Sequence, residues 1–122
     1  MLRWTVRLTG LLALLLGLWN GAWFGLLNLH QGLGLVMSAA LIWIAVLGFI
    51  RSVSPALLGP AVLFGLALPV LGALQGRLLP GQNHWLIEAL HLLLGLGAIA
   101  LAELIGSRMR ARPDPVSLRG AQ

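Results

Sequence analysis

The chain contains no cysteine. Disulfides, thiolate metal sites, thiol catalysis and covalent attachment of a c-type haem are thereby excluded. Charge is scarce as well. Only 9% of the 122 residues are charged, and the acids number three: Glu88, Glu103 and Asp114. A soluble domain of this length needs a polar surface larger than its core. With 59% hydrophobic residues and a mean hydropathy of +0.95, this chain cannot provide one. Its composition predicts an integral membrane protein whose solvent is mostly lipid.

Lysine is also missing: all eight basic residues are arginines. A net charge of +5 suits nucleic acid in principle, but the arginines cluster at the ends of apolar segments. That distribution is the one that orients membrane helices, with positive residues on the cytoplasmic side, so no nucleic-acid partner is expected.

A membrane-crossing helix needs about 20 mostly apolar residues. Four segments answer to this, at about 4–19, 22–50, 56–79 and 84–105. They are separated by the turn signal Asn20-Gly21, by "RSVSP" from Arg51 to Pro55, and by "LPGQNH" from Leu79 to His84. Pro60 lies in the first turns of the third segment, where proline is tolerated, and Pro69 is expected to kink it. Residues 1–107 form one four-helix transmembrane domain in this reading, and the basic, proline-containing residues 108–122 a disordered cytoplasmic tail. With both termini cytoplasmic, seven arginines lie inside and Arg77 alone outside. Trp19, Trp23 and Trp85 then fall at the outer boundary and Trp4 at the inner one, as aromatic belts do. Trp43 falls within the second segment, away from either belt. Arg3 and Arg7 ahead of an apolar stretch resemble a signal peptide. The stretch ends "GLWNGAWFG" without a small-x-small cleavage site, so it is read as retained.

Two stretches repeat. "LHQGLGL" at 29–35 and "LHLLLGL" at 90–96 align without gaps at an offset of 61, and the same offset pairs the turns before them and the helices that carry them. The expected architecture is therefore an all-α, integral membrane four-helix bundle built from two similar hairpins. Its sixteen glycines let helix backbones, or a flat ligand, come close.

An imidazole inside a membrane usually has a partner or a task. His30 lies about eight residues into the second segment and His91 about seven into the fourth, and both segments run inward. At about 1.5 Å per residue the two sit at one depth, roughly 10–12 Å below the outer end. Two imidazoles at one level on two helices are what a haem iron takes as axial ligands, one from each face of the ring. Gly34 and Gly95 each follow their histidine by four residues and so share its helix face. There they make room for the macrocycle. His30 and His91 are thus the candidate metal ligands for one haem b per chain, with Gly34 and Gly95 as cofactor-binding positions. Without paired carboxylates or thiolates, two imidazoles make a poor zinc site.

His84, Glu88, His91 and Gly95 form one stripe of the fourth helix. Glu88 and His84 are candidates for proton handling. Glu88 also has the options of orienting His91 from behind or of pairing with Arg77. Glu103 is expected to pair with Arg108 or Arg110. Asn20, Asn28, Gln31 and Gln75 either line the same outer cavity or merely bridge helices. No catalytic residue is assigned.

Four helices with histidines in H-x-x-x-G settings resemble the haem-b membrane modules of the cytochrome b561 type. They are also similar to one half of the haem A synthase fold, in which a four-helix half carries two haem-ligating histidines about sixty residues apart. The resemblance covers roughly residues 4–107 and places His30 and His91 at the ligand positions. "EALH", Glu88 to His91, is similar to the glutamate-histidine spacing of the synthases, but it stands in the second hairpin. Leu27 occupies the position of the synthase's glutamate, and the outer-loop cysteines of some synthases are missing. The resemblance thus implies the haem-binding bundle and not the synthase reaction.

The function expected is a small haem-b membrane protein or subunit that carries electrons between a quinol or other redox partner and a larger membrane complex. Its partners are lipid, other membrane subunits or a second copy of the chain, and a quinone, and its place is a bacterial inner membrane. The alternative is a cofactor-free structural or assembly subunit whose histidines only hydrogen-bond neighbouring helices. A small four-helix transporter ranks third, because the first segment lacks the membrane-embedded carboxylate such transporters need.

Overall fold

The computed structural model of the chain describes residues 2–18 and 24–111. The turn at Asn20 and Gly21, the tryptophans Trp19 and Trp23, and the tail from 112 to 122 lie outside the described residues. The described chain is helical throughout apart from its turns: α1 (Leu2–Leu18), α2 (Phe24–Ile50), α3 (Pro55–Leu74) with a 3₁₀ turn at Gln75–Arg77, and α4 (His84–Ala111).

The turn between α2 and α3 is fixed by local chemistry. Ser52 takes a left-handed backbone (φ 55°) and ends α2. The Ser54 hydroxyl then accepts from the Ala56 N–H at 3.3 Å, and Pro55 opens α3 where its missing N–H costs nothing. α3 runs through Pro69, which cannot donate to the Gly65 carbonyl, so that carbonyl loses its helical partner. The helix ends at Leu74, short of the expected 79, because the 3₁₀ turn and the positive φ of Leu79 and Gly81 redirect the chain. α4 overruns its expected end at 105. It carries Arg108 and Arg110 in its last turn, where cations meet the negative end of the helix dipole, so 108–111 belong to the helix and not to a disordered tail.

Three stretches among the described residues are long and apolar enough to cross a membrane: Leu26–Ile50, Pro55–Arg77 and His84–Ala111. α1, with 17 residues, spans about 25 Å and holds Arg3 and Arg7, so it falls short of the four full spans expected. Each helix packs on the next, α4 returns to α1, and α2 and α4 touch across the middle.

The buried core lies at the end where α1 begins and α2 ends. Val6, Leu41, Ile44 and Ile105 are its fully enclosed large side chains, with Ala61, Ala98 and Ala102 between them. Small residues let the backbones close in. A Cβ on Gly48 would stand 2.8 Å from Leu58 and 3.0 Å from Ile105. At the same end Glu103 takes both arginines of α1: Arg3 Nη1 donates to one carboxylate oxygen at 3.0 Å and Arg7 Nε to the other. The Arg7 guanidinium also lies over the Trp4 ring, 5.1 Å from its centre. Arg108 and Arg110, the partners expected, sit five and seven residues further along α4, one on another face and one two turns away, and α1 presents its cations more closely.

Candidate functional site

The other half of the molecule holds a cavity of about 580 Å³ to which all four helices contribute. That is the size range of small-molecule and cofactor sites. Its walls are largely apolar (Leu14, Leu35, Leu68, Leu92), and its polar groups are few: His30, Gln31, Gln75, Glu88, His91 and the indole of Trp85.

The two histidines meet there. His30 is the seventh residue of α2 and His91 the eighth of α4, which places them at nearly one level on helices running the same way. Their ring centres are 6.1 Å apart and their planes tilted by 47°. Each ring lies on a glycine of the preceding helix. A Cβ on Gly17 would be 3.2 Å from His30 Cε1, and one on Gly72 would be 3.2 Å from His91 Cε1.

Their hydrogen bonding differs. His30 Nδ1 lies 2.8 Å from the Ala13 carbonyl of α1. A carbonyl only accepts, so Nδ1 carries the proton and, in the neutral ring, Nε2 keeps its lone pair. His91 Nδ1 is buried and has no partner among the described residues. An orphaned buried polar atom of this kind costs about 1–3 kcal/mol unless something else satisfies it.

Gly34 and Gly95 both line the cavity, and a Cβ on either would meet no atom within 4 Å. They are therefore not packing glycines like Gly48. They border open space on the two helices that carry the histidines.

The rest of the expected stripe divides. Glu88 lines the cavity but is 63% exposed at its side chain, and its one ion-pair neighbour among the described residues is His84 Nε2 at 3.8 Å. It does not bond His91, whose Nδ1 is empty, and it does not pair with Arg77. One turn of helix separates Glu88 from His91, and the carboxylate turns outward to the wetter end. His84 is held by the Leu78 carbonyl at 3.1 Å and braces the α3–α4 turn outside the cavity wall. Gln31 and Gln75 line the cavity, whereas Asn28 is exposed and does not.

Sequence reasoning did not single out Gly17, Gly72 or the Ala13 carbonyl. Gly17 and Gly72 carry a faint signal, being glycines near the ends of the helices that precede the histidine helices. A backbone carbonyl carries none. Among the described residues no group of three or more His, Asp or Glu side chains converges on one point, so no all-protein metal cage is present. No family model matches this chain, and neither does any curated protein or solved structure.

Proposed function

We propose that the chain is a haem-b-binding integral membrane protein of electron transfer, a two-hairpin four-helix bundle of a bacterial inner membrane with both termini cytoplasmic. One observation carries this reading: two imidazoles face each other at 6.1 Å on the wall of a cavity that two glycines keep open. Imidazoles bound to opposite sides of one metal ion, at metal–nitrogen distances of about 2 Å, stand with ring centres roughly 6 Å apart. Two side-chain donors alone do not hold a bare ion. They suit a metal that brings its own equatorial nitrogens, and one such group is the limit for this donor set.

When bound, the haem supplies one-electron exchange at iron. The protein's part is to hold and shield it. His30 and His91 are the residues that would hold it, through their ring nitrogens. The Ala13 carbonyl fixes the His30 tautomer and raises the basicity of its free nitrogen. Gly34 and Gly95 leave room beside the ligands, and the leucine walls exclude water. Glu88, Gln31 and Gln75 are the polar groups through which a quinol or another redox partner is met, with His84 beside Glu88 as a second proton carrier.

A second reading has its own observation. The His30–Ala13 bond is the interhelical hydrogen bond that a cofactor-free scaffold subunit makes. That reading leaves the unpaired His91 Nδ1 and the cavity without a purpose. Reduced-minus-oxidised spectra of the purified protein decide between the two. The wild type is expected to give the low-spin spectrum of a bis-imidazole haem, and His30→Ala or His91→Ala to abolish it. A colourless wild type, or low-spin haem that survives both substitutions, refutes the haem site.

A further inference from the structure

We propose that His91 is the exchangeable axial ligand and His30 the fixed one, so that a small neutral ligand takes the place of His91 in the ferrous protein. This rests on the haem reading above. The two histidines are alike in depth, in their glycine bed and in the glycine four residues on, but unlike behind the ring. His30 donates to Ala13, four residues before its bed at Gly17. The corresponding residue before Gly72 is Leu68, and His91 makes no bond to it or to any other described residue. A hydrogen bond of this kind holds a ligand's orientation and strengthens its donor nitrogen. His91 has neither benefit.

The walls of the cavity that both rings line include Leu14, Leu35 and Leu68, which favour an uncharged diatomic molecule over water or an anion. In the exchange one iron–imidazole bond breaks and one bond from iron to the incoming donor atom forms. No electron or proton changes hands.

Carbon monoxide titration of the dithionite-reduced holoprotein in detergent, followed in the Soret band, tests this. The expected result is a saturable shift to a carbon monoxide complex in the wild type. Gly72→Ser places its Cβ 4.0 Å from His91 Nδ1 and offers it a hydroxyl acceptor, with Gly72→Ala as the steric control. The serine variant is expected to bind carbon monoxide roughly fivefold more weakly than the alanine variant, the weight of one hydrogen bond. His91→Ala reads the same point independently, retaining a five-coordinate haem that binds carbon monoxide more tightly than the wild type. Low-spin haem with an unshifted spectrum under saturating carbon monoxide overturns the exchange and leaves the haem reading standing. Equal affinities in the two Gly72 variants, or haem lost from His91→Ala but kept by His30→Ala, overturn the assignment to His91. A wild type without haem overturns both proposals.

Discussion

His30 and His91, at equivalent positions of the two repeated stretches, bring their imidazole centres to 6.1 Å across the meeting of α2 and α4. The pair divides the molecule into a tightly packed half around Val6, Leu41, Ile44 and Ile105 and a half that holds the cavity. Side-chain changes should have opposite consequences in the two halves.

Glycines provide the sharpest contrast. Gly34→Ala and Gly95→Ala meet no atom within 4 Å and should stabilise the cofactor-free protein by roughly 0.5–1 kcal/mol, the usual gain of alanine over glycine inside a helix. Gly48→Ala drives a methyl group to 2.8 Å from Leu58 and should destabilise by about 1–3 kcal/mol. Thermal unfolding in detergent gives the signs. On the haem proposal, the haem content of Gly34→Ala and Gly95→Ala, relative to wild type, should fall even as their stability rises.

The clasp at the packed end is specific to α1. Glu103→Gln removes the negative charge shared by Arg3 and Arg7 and should cost about 1–2 kcal/mol, a modest figure because all three side chains are partly exposed. Arg108→Ala and Arg110→Ala should leave the unfolding midpoint within error of the wild type. A larger loss from either than from Glu103→Gln would assign the carboxylate to the wrong helix.

Ser38 is 3% exposed, and its hydroxyl has no partner among the described residues. Replacing an unsatisfied buried hydroxyl by a methyl group removes its desolvation cost without leaving an orphan behind. Ser38→Ala is expected to unfold at the same temperature as the wild type or slightly above it. A drop of several degrees would reveal a bond to the hydroxyl and reverse the conclusion.

Sidedness is open to direct labelling because the natural chain has no cysteine. Gln82→Cys, in the α3–α4 turn, should react with a membrane-impermeant maleimide added to intact cells. Ser52→Cys, in the α2–α3 turn, should react only after the membrane is opened. The reverse pattern would invert the orientation assigned from the arginines.

The helical class and the facing histidines were legible from the sequence because both rest on periodicity. Apolar runs of span length declare helices, and equal spacing from matched turns puts two residues at one depth. Element ends were less legible. Leu79 and Gly81 turn by adopting positive φ, which nothing in "LLPGQ" forces at Leu79, and α4 continues past Ile105 because arginine is a good helix former at a C-terminus. The partner of Glu103 was misjudged because Arg108 and Arg110 are near in sequence, whereas Arg3 and Arg7 are near only once α4 returns to α1. The Ala13 carbonyl is beyond sequence reasoning altogether, since every residue has one and only the packing selects it.

Arg3 and Glu103 stand a hundred positions apart in the chain. The earliest of the four helices to leave the ribosome therefore carries two cations whose counter-charge arrives with the latest. Until then those guanidinium groups lack the carboxylate that pairs with both of them in the folded chain. Synthesis of α4 supplies the carboxylate last, so the charges of the first helix are matched only when the chain has returned to it.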